Sequence, residues 1–196
     1  MLAVTGRGLP VLLLFLAFPL AASGGSPPLA LTVTPSRIEF TRDDAPSALK
    51  LTLELAASAV TPVTVSTYGG GSIHVRRLTR NGVRVKPQRD MMVSFFEDPC
   101  LGNIGWFLVT LAPGESARVW GHTLGLERGL SGDPELLDIR CEKGAAVHNK
   151  GVLVYSLPTP GVYELQLTYR YTGADGGCEH VFRGDVPSNV ITLHLR

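Results

Sequence analysis

The sequence lacks a predominant charge. It carries 18 Lys and Arg against 17 Asp and Glu, which leaves a formal net charge of +1. A protein that binds nucleic acid through a global basic field has a large excess of cationic residues. The balanced composition therefore argues against nucleic acid as a partner.

The sequence also lacks the short motifs of common catalytic and metal sites. No H-E-x-x-H motif is present, and no histidine pair has the spacing of a zinc-binding helix. There is no G-x-S-x-G segment, and no Lys-Ser/Thr pair follows the glycines at 69–71. Asp133, Glu135 and Asp138 do not have the spacing of a calcium loop. We predict no metal, no cofactor and no enzymatic activity.

Long apolar runs are missing after the first 23 residues. Arg7 precedes an almost wholly apolar run from Leu9 to Leu20, and the small residues Ala21-Ala22-Ser23 follow it. This order is typical of a secretory signal peptide, and the run is shorter than the roughly 20 residues of a spanning helix. We predict a signal peptide over 1–23, a linker over 24–30, and a secreted or periplasmic protein with no transmembrane segment after signal removal.

Cysteine is scarce, with only Cys100, Cys141 and Cys178. In an oxidising compartment two of the three are expected to pair, which leaves one over. A Cys100–Cys141 disulfide is favoured because both residues fall in irregular stretches that flank the middle strands. The sequence does not exclude the other two pairings.

Strict alternation of apolar and polar residues is the main feature that the sequence does have. It is clearest from Pro160 to Tyr171, where apolar residues occupy every second position, and it recurs from Ala48 to Ala56. Side chains of a strand repeat every two residues, so each segment is predicted to be a strand with one buried face. Further short segments bring the count to eight or nine strands. We predict an all-β, two-sheet antiparallel sandwich over residues 31–196.

Two stretches depart from this alternation. Pro35-Ser36 interrupts the first strand, a break that suits an edge strand of a sheet. Residues 122–151 show no clear period and are predicted to be a long irregular insertion. Within it, Asp133 to Asp138 is predicted to form one helical turn, with proline at its first position.

A basic hairpin is predicted from Ile73 to Lys86. Asn81-Gly82 is a strong signal for a type I′ turn, because both residues tolerate positive φ. The hairpin and its flank contain a run of cations: Arg76, Arg77, Arg80, Arg84, Lys86 and Arg89. Such a run forms either a binding surface for an anionic partner or a solvated edge that resists aggregation. Both interpretations remain open.

Two further features are candidate binding elements. Trp120 alternates out of phase with Ala117 and Val119, so it is expected to be exposed, either as a sugar-stacking platform or as a packing residue. Arg183-Gly184-Asp185 matches the adhesion tripeptide, and it also suits an ordinary turn that leads into the closing strand.

Three segments carry a resemblance to a known group of domains: Leu111-Ala112-Pro113-Gly114-Glu115-Ser116, Pro160-Gly161-Val162-Tyr163-Glu164-Leu165 and Ser188-Asn189-Val190-Ile191-Thr192-Leu193. Together they resemble the closing half of immunoglobulin-like modules of exported proteins, such as the N-terminal accessory domains of secreted deuterolysin-type metallopeptidases. The resemblance implies an immunoglobulin-like sandwich. The chain lacks the Cys–Trp–Cys framework of antibody domains.

These observations favour a secreted, non-catalytic binding or accessory module that recognises a protein or a glycan. The candidate binding residues are Arg76, Arg77, Arg80, Arg84, Lys86 and Trp120. The alternative is a peptidase inhibitor that presents loops from the same scaffold, and the glycine-rich loop from Gly173 to Gly177 is the candidate for insertion into a protease.

Overall fold

The computed structural model describes residues 28–44, 49–58, 60–68, 72–89, 107–120, 127–128, 133–141, 150–171 and 181–196. Strands make up 66% and helix 1% of the structure, and the strands form several antiparallel sheets. The prediction of an all-β sandwich is confirmed. The described strands are β1 (Leu29–Pro35), β2 (Glu39–Phe40), β3 (Leu51–Ala57), β4 (Val63–Ser66), β5 (Ile73–Arg80), β6 (Val83–Arg84), β7 (Gln88–Arg89), β8 (Leu108–Leu111), β9 (Ser116–Val119), β10 (Glu127–Arg128), β11 (Pro134–Cys141), β12 (Lys150–Ser156), β13 (Gly161–Tyr169) and β14 (Val186–Leu195).

The strands are distributed over three sheets. The largest has eight strands in the order β6-β5-β13-β14-β1-β3-β9, and β2 also pairs with β14. A four-stranded sheet has the order β10-β11-β12-β7, and β4 pairs with β8. Strands β6 and β7 are close neighbours in sequence but belong to different sheets. The chain therefore passes from the large sheet into the four-stranded sheet directly after the hairpin.

Strand β13 is an interior strand of the large sheet. It pairs antiparallel with β5 on one side and with β14 on the other. Tyr163 and Tyr169 are almost fully buried, and their hydroxyl groups are satisfied internally. The Tyr163 hydroxyl donates to the Thr159 carbonyl at 2.7 Å, and the Tyr169 hydroxyl accepts from the Ser66 N–H at 3.0 Å. Burial raises the pKa of both tyrosines. The predicted buried face of this strand is confirmed.

One core cluster joins the strands of the large sheet. Apolar residues from β1, β3, β5, β9, β13 and β14 all contribute to it, as do Leu111 of β8 and Leu136 of β11. Strands near both ends of the eight-stranded sheet therefore bury one face each in the same cluster.

The prediction that the first strand lies at a sheet edge is wrong. Strand β1 lies between β14, to which it is parallel, and β3, to which it is antiparallel. Pro35 is tolerated because it is the last residue of the strand, where it removes no interior ladder bond. On the β14 side the Asn189 amide accepts from the Val33 N–H at 2.7 Å and donates to the Val33 carbonyl at 3.0 Å. A side chain thus supplements the backbone pairing.

The predicted helical turn over 133–138 is also wrong. Pro134–Cys141 is an eight-residue strand that pairs along its length with β12. The described part of the region 122–151 forms β10, β11 and the start of β12, so it is largely regular there. The alternation is hard to recognise in sequence because Asp138 occupies an inward position and Leu137 an outer one. The second face is itself partly apolar, since Leu137 packs against Val152 and Val154.

Candidate functional site

The β5–β6 hairpin presents a row of cations on the outer face of the large sheet. Asn81 and Gly82 have φ angles of 47° and 80°, so the predicted turn is confirmed. Thr79 is paired with Arg84, and the Val85 N–H donates to the Leu78 carbonyl at 2.9 Å. Continued by one residue beyond Val85, this register brings Lys86 opposite Arg77 and onto the same face as Arg84.

A β-bulge makes two consecutive arginines accessible. Gln166 is paired with Arg77, whereas Leu167 is paired with Val75, so Arg76 is the extra residue on β5. Both arginines are exposed, and the side chains of Val75 and Leu78 on either side of them are buried. Without the bulge, alternation would direct one of the two arginines into the core.

Asp185 brings two arginines together beside the bulge. Its carboxylate accepts from Arg170 at 2.6 Å and from Arg76 at 3.5 Å, and the Thr168 hydroxyl donates to its other oxygen. The hydrogen bond from Thr168, followed by that from Arg170, holds the pKa of Asp185 below its usual range. We define the basic surface as the outer-face cations Arg76, Arg77, Arg84, Lys86 and Arg170.

The basic surface has few carboxylates of its own. Arg77 lies 4.0 Å from Glu164, which also accepts a hydrogen bond from Thr79 at 3.1 Å. Arg84 and Lys86 are exposed and form no ion pair with the described part of the chain. Among the residues that the structure describes, the five cations contact two carboxylates, Glu164 and Asp185, and this local excess of +3 exceeds the formal charge of the entire chain.

Of the predicted binding residues, Arg80 does not join the basic surface. It is opposite Tyr163, whose side chain points into the core, and it is half-buried at that end of the sheet. The backbone of Arg89 belongs to β7, but its side chain lies outside the described residues. Arg170 was not predicted from the run of hairpin cations. The alternation of β13 could have indicated it, because Arg170 occupies the same set of alternate polar positions as Glu164, which predicts that both side chains lie on the outer face.

Two residues of the Arg183-Gly184-Asp185 tripeptide are constrained by contacts with neighbouring side chains. The Asp185 carboxylate is held by Thr168, Arg76 and Arg170. A Cβ atom on Gly184 would lie 2.2 Å from the ring of Phe182, a separation that folded proteins do not show. These contacts favour the interpretation of the tripeptide as a turn before the closing strand.

A buried histidine–aspartate pair joins two sheets. His74 Nδ1 lies 2.8 Å from Asp138 Oδ1, and the Val75 N–H donates to Asp138 Oδ2 at 3.2 Å. Asp138 is 1% exposed and His74 is 8% exposed. A carboxylate that orients an imidazole can support a nucleophile, but no described hydroxyl or thiol is hydrogen-bonded to His74. Sequence reasoning missed the pair, since the two residues are 64 positions apart.

Trp120 is 58% exposed, as its sequence phase predicts. It directly follows β9, which is an edge strand of the large sheet. The Arg118 guanidinium lies 5.4 Å from the centre of its ring. Trp120 is remote in the sheet order from the basic surface, because β9 and β6 occupy opposite ends of the eight-stranded sheet.

Several predictions concern residues outside the described ranges. These include the signal peptide over 1–23, most of the linker, the residues Cys100 and Cys178, and the loop from Gly173 to Gly177. The backbone of Cys141 ends β11, but its side chain is likewise outside the described residues. The Cys100–Cys141 disulfide and the inhibitory loop stay predictions.

No protein-family model matches the chain, and no curated protein matches its sequence significantly. Among the described residues, no helix is long and apolar enough to cross a membrane. The same residues contain no group of three His, Cys, Asp or Glu side chains that could hold a metal ion.

Proposed function

We propose that this chain is a secreted, non-catalytic binding module that recognises an anionic glycan through the basic surface. The concentration of unbalanced positive charge on one sheet face is the observation that carries the proposal. Arg84 and Lys86 have no ion-pair partner in the described part of the chain, and Arg77 is paired with only one distant carboxylate.

The arrangement of the cations supports a polyanion as the ligand. Continuation of the hairpin register beyond β6 by two residues brings Lys86 opposite Arg77, and like charges at directly opposed positions destabilise a β-sheet. Lys86 lies two residues after Arg84, the last residue of β6, so their Cα atoms are separated by at most about 7 Å. A chain of closely spaced sulfate or carboxylate groups would neutralise this repulsion over several strands.

The bulge region adds a preorganised pair of guanidinium groups. Asp185 holds Arg76 and Arg170 on the same side of the sheet, and each guanidinium has further N–H groups beyond those that face the carboxylate. Because guanidinium groups bind sulfate, phosphate and carboxylate oxygens with two parallel hydrogen bonds, this pair suits the charged groups of an acidic polysaccharide.

The proposal is tested by titrating the mature protein with heparin and with polygalacturonate at increasing salt concentration. Binding that weakens steeply with salt is expected, because the contacts are between exposed charges. The double variant R84S/K86S should lose about 5- to 30-fold in affinity, as each exposed ion pair contributes about 0.5–1 kcal/mol.

The matched control is the double variant K50S/R196S, which removes the same charge from positions outside the basic surface. Lys50 and Arg196 are both exposed in the structure. The control should bind nearly as tightly as the unaltered protein. Equal losses in both variants, or no salt-sensitive binding to either polyanion, would overturn the proposal.

A further inference from the structure

A second surface lies on the other half of the large sheet. The outward positions of β1, β3 and β9, with the residue directly after β9, form a patch of three threonines, one glutamate, one arginine and one tryptophan. We call it the threonine face, and its members are Thr32, Thr34, Thr52, Glu54, Arg118 and Trp120. All six are exposed.

The strand register brings these residues together in rows. Thr34 is paired with Thr52, and continuation of the β3–β9 register places Trp120 at the same level. In the next row Thr32 is paired with Glu54, and Glu54 is paired with Arg118. The residues that alternate with them on all three strands pack into the core. Because successive side chains of a strand point to opposite faces, the threonine face must point away from the core.

The two charged residues of the threonine face do not pair with each other. Glu54 and Arg118 are directly opposed on neighbouring strands, a position in which opposite charges usually interact. Instead the Glu54 carboxylate accepts a hydrogen bond from the Ser116 hydroxyl, and the Arg118 guanidinium lies over the Trp120 ring. The Glu54 carboxylate can consequently still accept hydrogen bonds and the Arg118 guanidinium can still donate them. Because their charges are opposite, the six residues of the threonine face carry no net charge.

Trp120 is held in place at the edge of this face. Its backbone N–H donates to the Thr67 carbonyl at 2.6 Å, which ties the end of β9 to the neighbouring chain segment. The side chain is nevertheless 58% exposed. A ring with a fixed backbone and an accessible surface offers contact area with little loss of conformational entropy on binding.

We propose that the threonine face binds a neutral oligosaccharide. A sugar ring has an apolar C–H surface that stacks on an indole, and hydroxyl groups that both donate and accept hydrogen bonds. Trp120 supplies the aromatic surface, Glu54 accepts, Arg118 donates, and the threonine hydroxyls do either. Strands β1, β3 and β9 span about 10 Å, so the ligand covers more than one sugar unit.

The test titrates the protein with neutral hexamers of glucose, mannose and N-acetylglucosamine, and follows tryptophan fluorescence and heat of binding. At least one hexamer should bind at millimolar or lower concentration, with an affinity that does not change between low and high salt. Trp120→Ala should weaken binding at least tenfold, whereas Trp120→Phe should retain part of it. Both variants should unfold at the temperature of the unaltered protein, because the side chain is exposed.

A matched pair of threonine variants locates the site. Thr52→Val removes a hydroxyl group from the threonine face and should weaken binding, and Thr192→Val removes one from an exposed position of β14 and should not. The R84S/K86S variant should bind neutral hexamers normally, so failure of this site is distinguishable from failure of the basic surface. Absence of binding to all three hexamers, or binding that survives Trp120→Ala, would overturn the inference.

Discussion

At the scale of single residues, the residues just before β14 have structural roles that cannot be inferred from their residue types alone. Gly184 leaves the space occupied by the Phe182 ring, and that ring in turn stacks near Tyr169, with centroids 6.4 Å apart. The Asp185 carboxylate accepts hydrogen bonds from Thr168 and Arg170. The tripeptide therefore contributes to packing at the start of β14, and its aspartate orients part of the basic surface.

Gly184→Ala is expected to destabilise the protein by about 1–3 kcal/mol, because the added methyl group overlaps the Phe182 ring. The measurement is urea unfolding of the single variant and of the same substitution in a Phe182→Leu background. The smaller leucine should remove most of the cost, which makes the two substitutions non-additive. Equal costs in both backgrounds would contradict the steric explanation.

At the scale of elements, irregularities in pairing determine which side chains are accessible. The bulge at Arg76 shifts the phase of β5 and exposes two arginines in succession. A second register shift occurs between β13 and β14 at the same level, where the Ser188 hydroxyl accepts from the Leu167 N–H at 3.0 Å. Asn189 follows directly and pairs with the backbone of Val33. Polar side chains thus replace backbone partners where the ladder is interrupted.

Asn189→Leu should destabilise the protein by about 1–2 kcal/mol, because the Val33 N–H and carbonyl each lose a partner at a partly buried position. Thermal and urea unfolding measure the effect. Thr192→Leu is the control, since Thr192 is exposed on the same strand and its replacement should change stability by less than about 0.5 kcal/mol. Similar effects of both substitutions would argue against the pairing role.

At the scale of the whole molecule, the four-stranded sheet is joined to the large sheet by both apolar and polar contacts. Leu136, Tyr155 and Leu157 belong to the main core cluster. Asp138 of β11 binds both the His74 side chain and the Val75 N–H on β5, close to the arginines of the bulge. The buried pair therefore connects the sheet that carries the basic surface to its neighbour.

Asp138→Ala should cost about 2–4 kcal/mol, since it leaves His74 and the Val75 N–H without their buried acceptor. Asp138→Asn should cost less, because an amide oxygen can still accept from the Val75 N–H. Urea unfolding gives the free energies, and amide hydrogen exchange should show faster exchange in β11 and β12. Unchanged exchange in these strands together with a cost below about 0.5 kcal/mol would contradict the connecting role.

Part of the fold and of the candidate site could be predicted from local pattern. The alternation in β13 and β3 identified both strands and their buried faces, and Asn81-Gly82 identified the turn of the basic hairpin. The phase of Trp120 correctly indicated its exposure. These features depend on residues that are neighbours in sequence, because strand periodicity and turn geometry are local properties of the backbone.

By itself, then, the sequence determined the β class, the long alternating strand β13 and the hairpin on which most of the basic surface lies. Tertiary structure alone decided that β1 is an interior strand and that Pro134–Cys141 is a strand. It also decided that Asp138 is hydrogen-bonded to His74. It also decided that the Asp185 carboxylate lies between Arg76 and Arg170. The physical reason is that these contacts join distant segments. Their formation depends on which sheet edges meet when a shared core is buried, and no local pattern carries that information.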